Sequence, residues 1–218
     1  MNVSLTFTLS VFLTLSLISC KTNTGLETNT DNNTYITDFE LIHNNQLNNR
    51  KIIINSPKAI IDSSSQNIQI INSNMQILDK TQKIINIKSG NAILDNTTKV
   101  ISANDNVVIS DTQNQGSSLK TNKLNWNLKN SIINLDNQLF IKFPNTKIHS
   151  EKGIYDISLD RLYLKDVQFN RTSNTKKGLT SYEISINANN AKWLKDDNSL
   201  EFTSEIGQVE TTIDLFNY

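Results

Sequence analysis

Few residues in this chain have the types and spacing that chemistry requires. The two histidines, His43 and His149, stand alone, with no Cys or third ligand at metal-binding spacing. The adjacent carboxylates Asp196 and Asp197 sit in a polar stretch that reads as a turn, where solvation is expected of them rather than acid–base work. The chain has no G-x-x-x-x-G-K-S/T, G-x-S-x-G or H-E-x-x-H. The expectation is therefore no enzyme, no metal and no cofactor. One cationic stretch, Arg171 to Gly178 with Lys176 and Lys177, reads as a loop between strands. Such a loop is either simply solvated or attractive to lipid phosphates and anionic membrane surfaces.

The remaining reactive group is Cys20, the only cysteine, so a disulfide within the chain is excluded. Val3 to Ile18 form an uncharged apolar run. It is shorter than the roughly 20 residues a spanning helix needs, and it has the length of a secretory core segment. The run closes on Leu17-Ile18-Ser19-Cys20, which resembles a bacterial lipobox, although no Lys or Arg precedes it. Two readings stay open, a lipid on Cys20 or an uncleaved anchor. Both export the chain and tether it to a membrane, and a multiply acylated cysteine makes that tether stable. Residues 21–34, KTNTGLETNTDNNT, form a polar linker without periodicity.

Residues 35–218 leave roughly 180 residues for one domain with a sizeable core. Lys+Arg and Asp+Glu are both 21, so nothing in the charge balance points to nucleic acid. Hydrophobic residues make up 37%, a low value that suits a sheet with one wet face and one buried face. Ile and Asn are abundant; Ile favours strands and Asn tolerates tight turns. With only 6 Gly and 2 Pro, turns must be built from Asn, Asp and Ser.

The elements emerge from an internal repeat. Five stretches share one plan: SPKAIIDSSSQNIQI from Ser56, SGNAILDNTTKVISA from Ser89, TNKLNWNLKNSIINL from Thr121, SEKGIYDISLDRLYL from Ser150 and ANNAKWLKDDNSLEF from Ala188. The fourth position is small or apolar: Ala59, Ala92, Leu124, Gly153, Ala191. Two residues on stands a large one, Ile61, Leu94, Trp126, Tyr155 or Trp193, on the same strand face. A polar turn and a second apolar strand follow, with Leu164 and Phe202 on the second strands of the fourth and fifth units. The period is two throughout, so the fold class is all-β: antiparallel strands from repeated hairpins in a curved sheet or opened sandwich. The inward set Ile61, Leu94, Trp126, Tyr155, Leu164, Trp193 and Phe202 is either a closed core or the lining of a groove. The tail alternates Val209, Thr211, Ile213 and Leu215 against polar residues and reads as a terminal strand. Either it or the first strand near Tyr35 to Leu41 offers an edge to which a partner can add a strand.

The unit "small–x–large–Asp, polar turn, apolar strand", as in Gly153-Ile154-Tyr155-Asp156 through Leu164, resembles the OstA-like family of lipopolysaccharide-transport domains, closest to its LptC-like members. Ser56-Pro57-Lys58-Ala59 and the N-terminal membrane segment add to the likeness, which covers residues 35–218. The resemblance implies a twisted, partly open β-jelly roll at the periplasmic face of the inner membrane. It implies lipopolysaccharide as ligand, received from an Lpt-type ABC transporter complex and passed to an LptA-like bridge protein by β-strand addition. The physics is compatible. At about 0.8 kcal/mol per exposed CH₂, a dozen methylenes cost about 10 kcal/mol in water, which an apolar groove removes without chemistry. The alternative is a structural or adhesive β-repeat lipoprotein with a closed core and no lipid ligand.

Overall fold

Alternating apolar and polar residues, rich in β-branched Ile and Val, produce thirteen strands and no helix in the computed structural model, which describes residues 33–45, 50–78, 84–111, 117–174, 180–194, 199–204 and 209–217. In chain order they are β1 (Asn33–Asn45), β2 (Arg50–Asp62), β3 (Ile68–Leu78), β4 (Ile84–Asp95), β5 (Val100–Asp111), β6 (Ser118–Asn127), β7 (Ile132–Asp136), β8 (Leu139–Phe143), β9 (Thr146–Asp156), β10 (Arg161–Asn174), β11 (Thr180–Leu194), β12 (Ser199–Thr203) and β13 (Glu210–Asn217). All belong to one antiparallel sheet that follows chain order. β7 and β8 share one place between β6 and β9, and β12 and β13 share the last place beside β11. The five sequence repeats are the hairpins β2–β3, β4–β5, β6–β7, β9–β10 and β11–β12, so the expected β-jelly roll of repeated hairpins is the fold observed.

The hairpin turns use the residues available. Asp62 Oδ1 accepts the Ser64 amide at 2.8 Å, Asp95 Oδ1 that of Thr97 at 2.8 Å, and Asp156 Oδ1 that of Ser158 at 2.8 Å; Asn127 Oδ1 does the same for Lys129 at 2.9 Å. Hydrogen bonds from Ser64 and Ser65 hold the Asp62 carboxyl far below its ordinary range, and those from Thr98 and Thr97 lower that of Asp95. Each of these turns ends on a residue with positive φ, Gln66, Lys99, Ser131 or Asp160.

A second set of left-handed residues lies within the strands or, for Asn137 and Gln138, in the step between β7 and β8. Asp38, Asn72, Asp105, Asn106, Asn137, Gln138 and Asp166 all have φ between 52° and 65°. The ladders skip these residues and their neighbours, with two-against-one bulges around Asp105-Asn106. The skipped residues align into a crease across the sheet, so every long strand bends at the same level. The crease divides the sheet into two leaves. The first leaf carries the hairpin turns and the second carries the opposite strand halves. Inward-facing residues beside the crease in the first leaf mix the small Ala59, Ala92, Ala103, Gly153 and Ala191 with Ile70, Leu124, Leu135 and Leu164, so the level holds less bulk than an all-large row. One step outward they are large, including Leu94, Trp126, Tyr155 and Trp193. That gradient is the shape of a wedge. The second leaf opposes it with an aliphatic row, Ile54, Met75, Ile87, Ile109, Leu119, Ile141 and Ile148. A Cβ on Gly153 would lie 2.8 Å from Leu139 Cδ2, so this repeat position admits no side chain without displacement.

Bending interrupts backbone pairing, and buried hydroxyls restore it. The first residue of four repeats faces inward at the crease: Ser56, Ser89, Thr121 and Ser150 are all buried. Each bonds the carbonyl two residues ahead, and three also reach across to the residue just before the left-handed bend of the next strand. Ser56 bonds the carbonyls of Lys58 and Ile71, Thr121 those of Lys123 and Asp136, and Ser150 those of Lys152 and Lys165. Each hydroxyl shares its single proton between the two carbonyls. Ser89 bonds Asn91 O and instead pairs with Ser73 Oγ at 2.7 Å. The fifth repeat has Ala188 at this position and no such clamp. Ser150→Ala should lower unfolding stability by about 1–2 kcal/mol, because two carbonyls lose their shared donor in a buried place. Urea unfolding with an unchanged m-value measures this.

His43, on β1 in the second leaf, is held below its ordinary value by burial first and by the Lys99 charge second. In the unfolded chain it titrates near 6.5. Above that pH neither state carries the proton and the contribution is absent. As pH falls through about 6.5 the unfolded state takes up a proton that the folded state resists, so stability falls. Unfolding free energy should therefore decline from about pH 7.5 to about pH 5.5, and His43→Gln should flatten that decline. An equal slope in the variant refutes the assignment.

Candidate functional site

The leaves are not equally closed along the sheet. From β2 to β7 the inward residues are almost wholly buried, and aliphatic chains dominate them. Between Phe39 and Trp126 the sequence contains no Phe, Trp or Tyr. Branched and straight aliphatics fill the wedge densely there. From β8 to β12 aromatic rings join the aliphatic residues, and a cleft opens between the leaves whose inner end reaches back to Ile85, Ile109, Leu119 and Leu135 of β4 to β7. Two edge-on ring pairs span it. Phe143 of the second leaf meets Trp193 of the first at 4.9 Å between centroids, and Phe169 meets Phe202 at 5.3 Å.

The cleft has a throat and a mouth. The throat, about 70 Å³, is lined mainly by apolar side chains, among them Ile85, Ile109, Leu119, Leu135, Ile141, Tyr155, Leu162 and Trp193. The Tyr155 hydroxyl donates to the Asp160 carboxylate at its margin. The mouth, about 550 Å³, is lined by Phe143, Ile148, Phe169, Trp193, Leu200 and Phe202, with Pro144, Asn145, Thr146 and Arg171 around its rim. Ser117, Phe143 and Trp193 line both, so the two adjoin. The apolar part of this lining can exclude water from an apolar guest, and its polar residues, Asp160 and serine hydroxyls at the throat and Arg171 and Thr146 at the mouth, stand among and around it.

Of the seven residues expected to face inward, the structure brings Tyr155, Trp193 and Phe202 together in the cleft. Leu94, Trp126 and Leu164, at 3%, 1% and 3% exposure, are enclosed in the packed core and line no part of it. The Trp126 Nε1 proton finds no acceptor among the described residues. Ile61 is half-buried on β2, opposite Ile68 and apart from the cleft. Period-two alternation marks which residues point inward but not how far apart the leaves stand. It also left Phe143, Phe169 and Leu200 unmarked as lining. The available signal was the abrupt change from aliphatic to aromatic composition after residue 125.

Other expectations resolve as follows. Arg171 to Asn174 belong to β10 rather than to a loop, while Lys176 and Lys177 lie outside the described residues, as do Cys20, Asp196 and Asp197. Among the described residues no three His, Cys, Asp or Glu side chains converge as metal ligands. His149 is exposed and meets Phe140 edge-on at 4.2 Å. Val209 precedes β13, in which Thr211, Ile213 and Leu215 lie in register with Ile186, Ile184 and Tyr182 of β11. Among the described strands, β1 and β13 each pair on one side only. No described helix is long and apolar enough to cross a membrane.

Comparison with known proteins agrees with this architecture. A family model described as "Lipopolysaccharide-assembly, LptC-related" matches residues 3–169. No curated protein matches at a significant level. The matched span ends at Phe169, on the wall of the cleft.

Proposed function

We propose, for a chain that belongs to the LptC-related family of lipopolysaccharide-assembly proteins, that the cleft between the leaves, whose mouth lies at β8 to β12, holds an acyl chain of lipopolysaccharide during its transfer across the periplasm. The observation that carries this reading is a cleft with aromatic walls and an apolar throat, opening through a polar-rimmed mouth at the C-terminal side of a sheet that is elsewhere closely packed. An adhesive or purely structural repeat has no need to leave its wedge open on one side only. In this reading the chain is exported and tethered at the periplasmic face of the inner membrane, through a lipid on Cys20 or a single apolar span. It takes lipid from an Lpt-type ABC exporter complex and yields it to an LptA-like bridge protein.

The handover needs a continuous apolar path from one protein to the next. β13 ends the sheet on the side where the cleft opens, and strand addition there, along Val209, Thr211, Ile213 and Leu215, extends both the sheet and its inner surface. β1, at the closed side, is the second available edge.

A photo-crosslinking residue placed at Trp193 or Tyr155 in cells should give lipopolysaccharide adducts, whereas one at Trp126 should give none. Equal labelling from Trp126 and Trp193, or none from Trp193 and Tyr155 in well-expressed protein, removes the cleft as the conduit. Deleting Thr211 to Tyr218 should abolish pull-down of the bridge protein while circular dichroism retains the β signal. Undiminished pull-down assigns the docking edge elsewhere.

A further inference from the structure

On the reading of the cleft as a lipid site, we propose that Arg171 is its headgroup anchor. Its guanidinium would bind the phosphate of an anionic amphiphile, one acyl chain of which runs past Phe169 and Trp193 toward the throat. Along the inward face of β10 the residues are Leu162, Leu164, Val167, Phe169 and then Arg171, so an apolar run ends in a cation at the rim of the mouth. Arg171 stands two residues beyond Phe169, about 7 Å along the strand, which is the offset between a headgroup and the first buried methylenes.

Among the described residues no carboxylate pairs with this cation. Its lateral neighbours are Thr146 on β9 and Ile184 on β11, neither of them charged. The Thr146 hydroxyl lies on the same rim and offers a second donor. Arginine presents a planar fork that matches phosphate oxygens, and Arg171 is exposed at the rim, where a headgroup can reach it. A mouth of about 550 Å³ has the size of a site for one small amphiphile. It takes a single chain at a time rather than a whole multi-chain glycolipid. Arg171 also lies two residues past the end of the family match.

The test uses the full-length chain in amphipol, carrying Trp126→Phe so that Trp193 reports alone. Decyl phosphate and uncharged decyl glucoside are titrated against its fluorescence. The parent should bind decyl phosphate about tenfold more tightly than decyl glucoside, and Arg171→Gln should erase that preference while leaving decyl glucoside affinity unchanged. Arg171→Lys should keep part of it, because the charge remains but the fork is lost. An unaltered preference in Arg171→Gln overturns the anchor and leaves the cleft intact. Failure of both amphiphiles to bind the parent overturns the cleft reading itself. Inorganic phosphate at the same concentration should not displace decyl phosphate; full displacement identifies a free-phosphate site and overturns the lipid assignment.

Discussion

A wide sheet with one apolar face can hide that face from water only against another surface, and this chain supplies none but its own. With no helix and no second sheet among the described residues, the sheet must double over, and doubling requires its long strands to bend at a common level. Bending breaks ladder hydrogen bonds in what becomes the deepest part of the molecule, where a stranded carbonyl is costly. The row of inward hydroxyls, Ser56, Ser73, Ser89, Thr121 and Ser150, meets that constraint. The left-handed Asp and Asn residues beside it supply the backbone geometry that six glycines could not. Small residues next to the crease, the wedge-shaped interior and the facing aliphatic row all follow from this single fold line.

The same constraint explains why the cleft lies where it does. Closure weakens where its devices run out. The fifth repeat has Ala188 in place of a hydroxyl, and its partner strand is divided into β12 and β13. Rings that meet edge-on stand further apart than interlocking isoleucines and cannot fill the wedge. On the proposed reading of the cleft as a lipid site, capacity rests on a departure from good packing at one side of the body, and substitutions that improve packing around Phe143, Trp193 and Phe202 would stabilise the domain at its expense.

Much of the architecture was legible in the sequence. Period-two patterning identified the strands, and the small–x–large pairs from Ala59 to Trp193 identified the inward face because strand geometry ties spacing directly to facing. The spacing of the leaves was not legible in that way. Leu94, Trp126 and Trp193 occupy the same repeat position or its equivalent, yet two are sealed and one lines the cleft. What separates them is the bulk of residues opposite, in strands distant along the chain. The clamp hydroxyls were visible as the first letter of four repeats, but their role depends on a bend that alternation does not encode. Arg171 resembled part of a basic loop because its neighbours Lys176 and Lys177 dominated the reading, whereas its register on β10 sets it on the cleft rim.

The strict chain-order arrangement of the sheet has a kinetic meaning. Apart from the shared places of β7 with β8 and of β12 with β13, each strand pairs with those immediately before and after it. No early strand waits for a late one, so loop-closure cost stays low at each step. As such a chain is made, hairpin can zip onto hairpin, each new edge being shielded by the next arrival, so that among the described strands the first, β1, and the last, β12 and β13, are the ones left paired on one side.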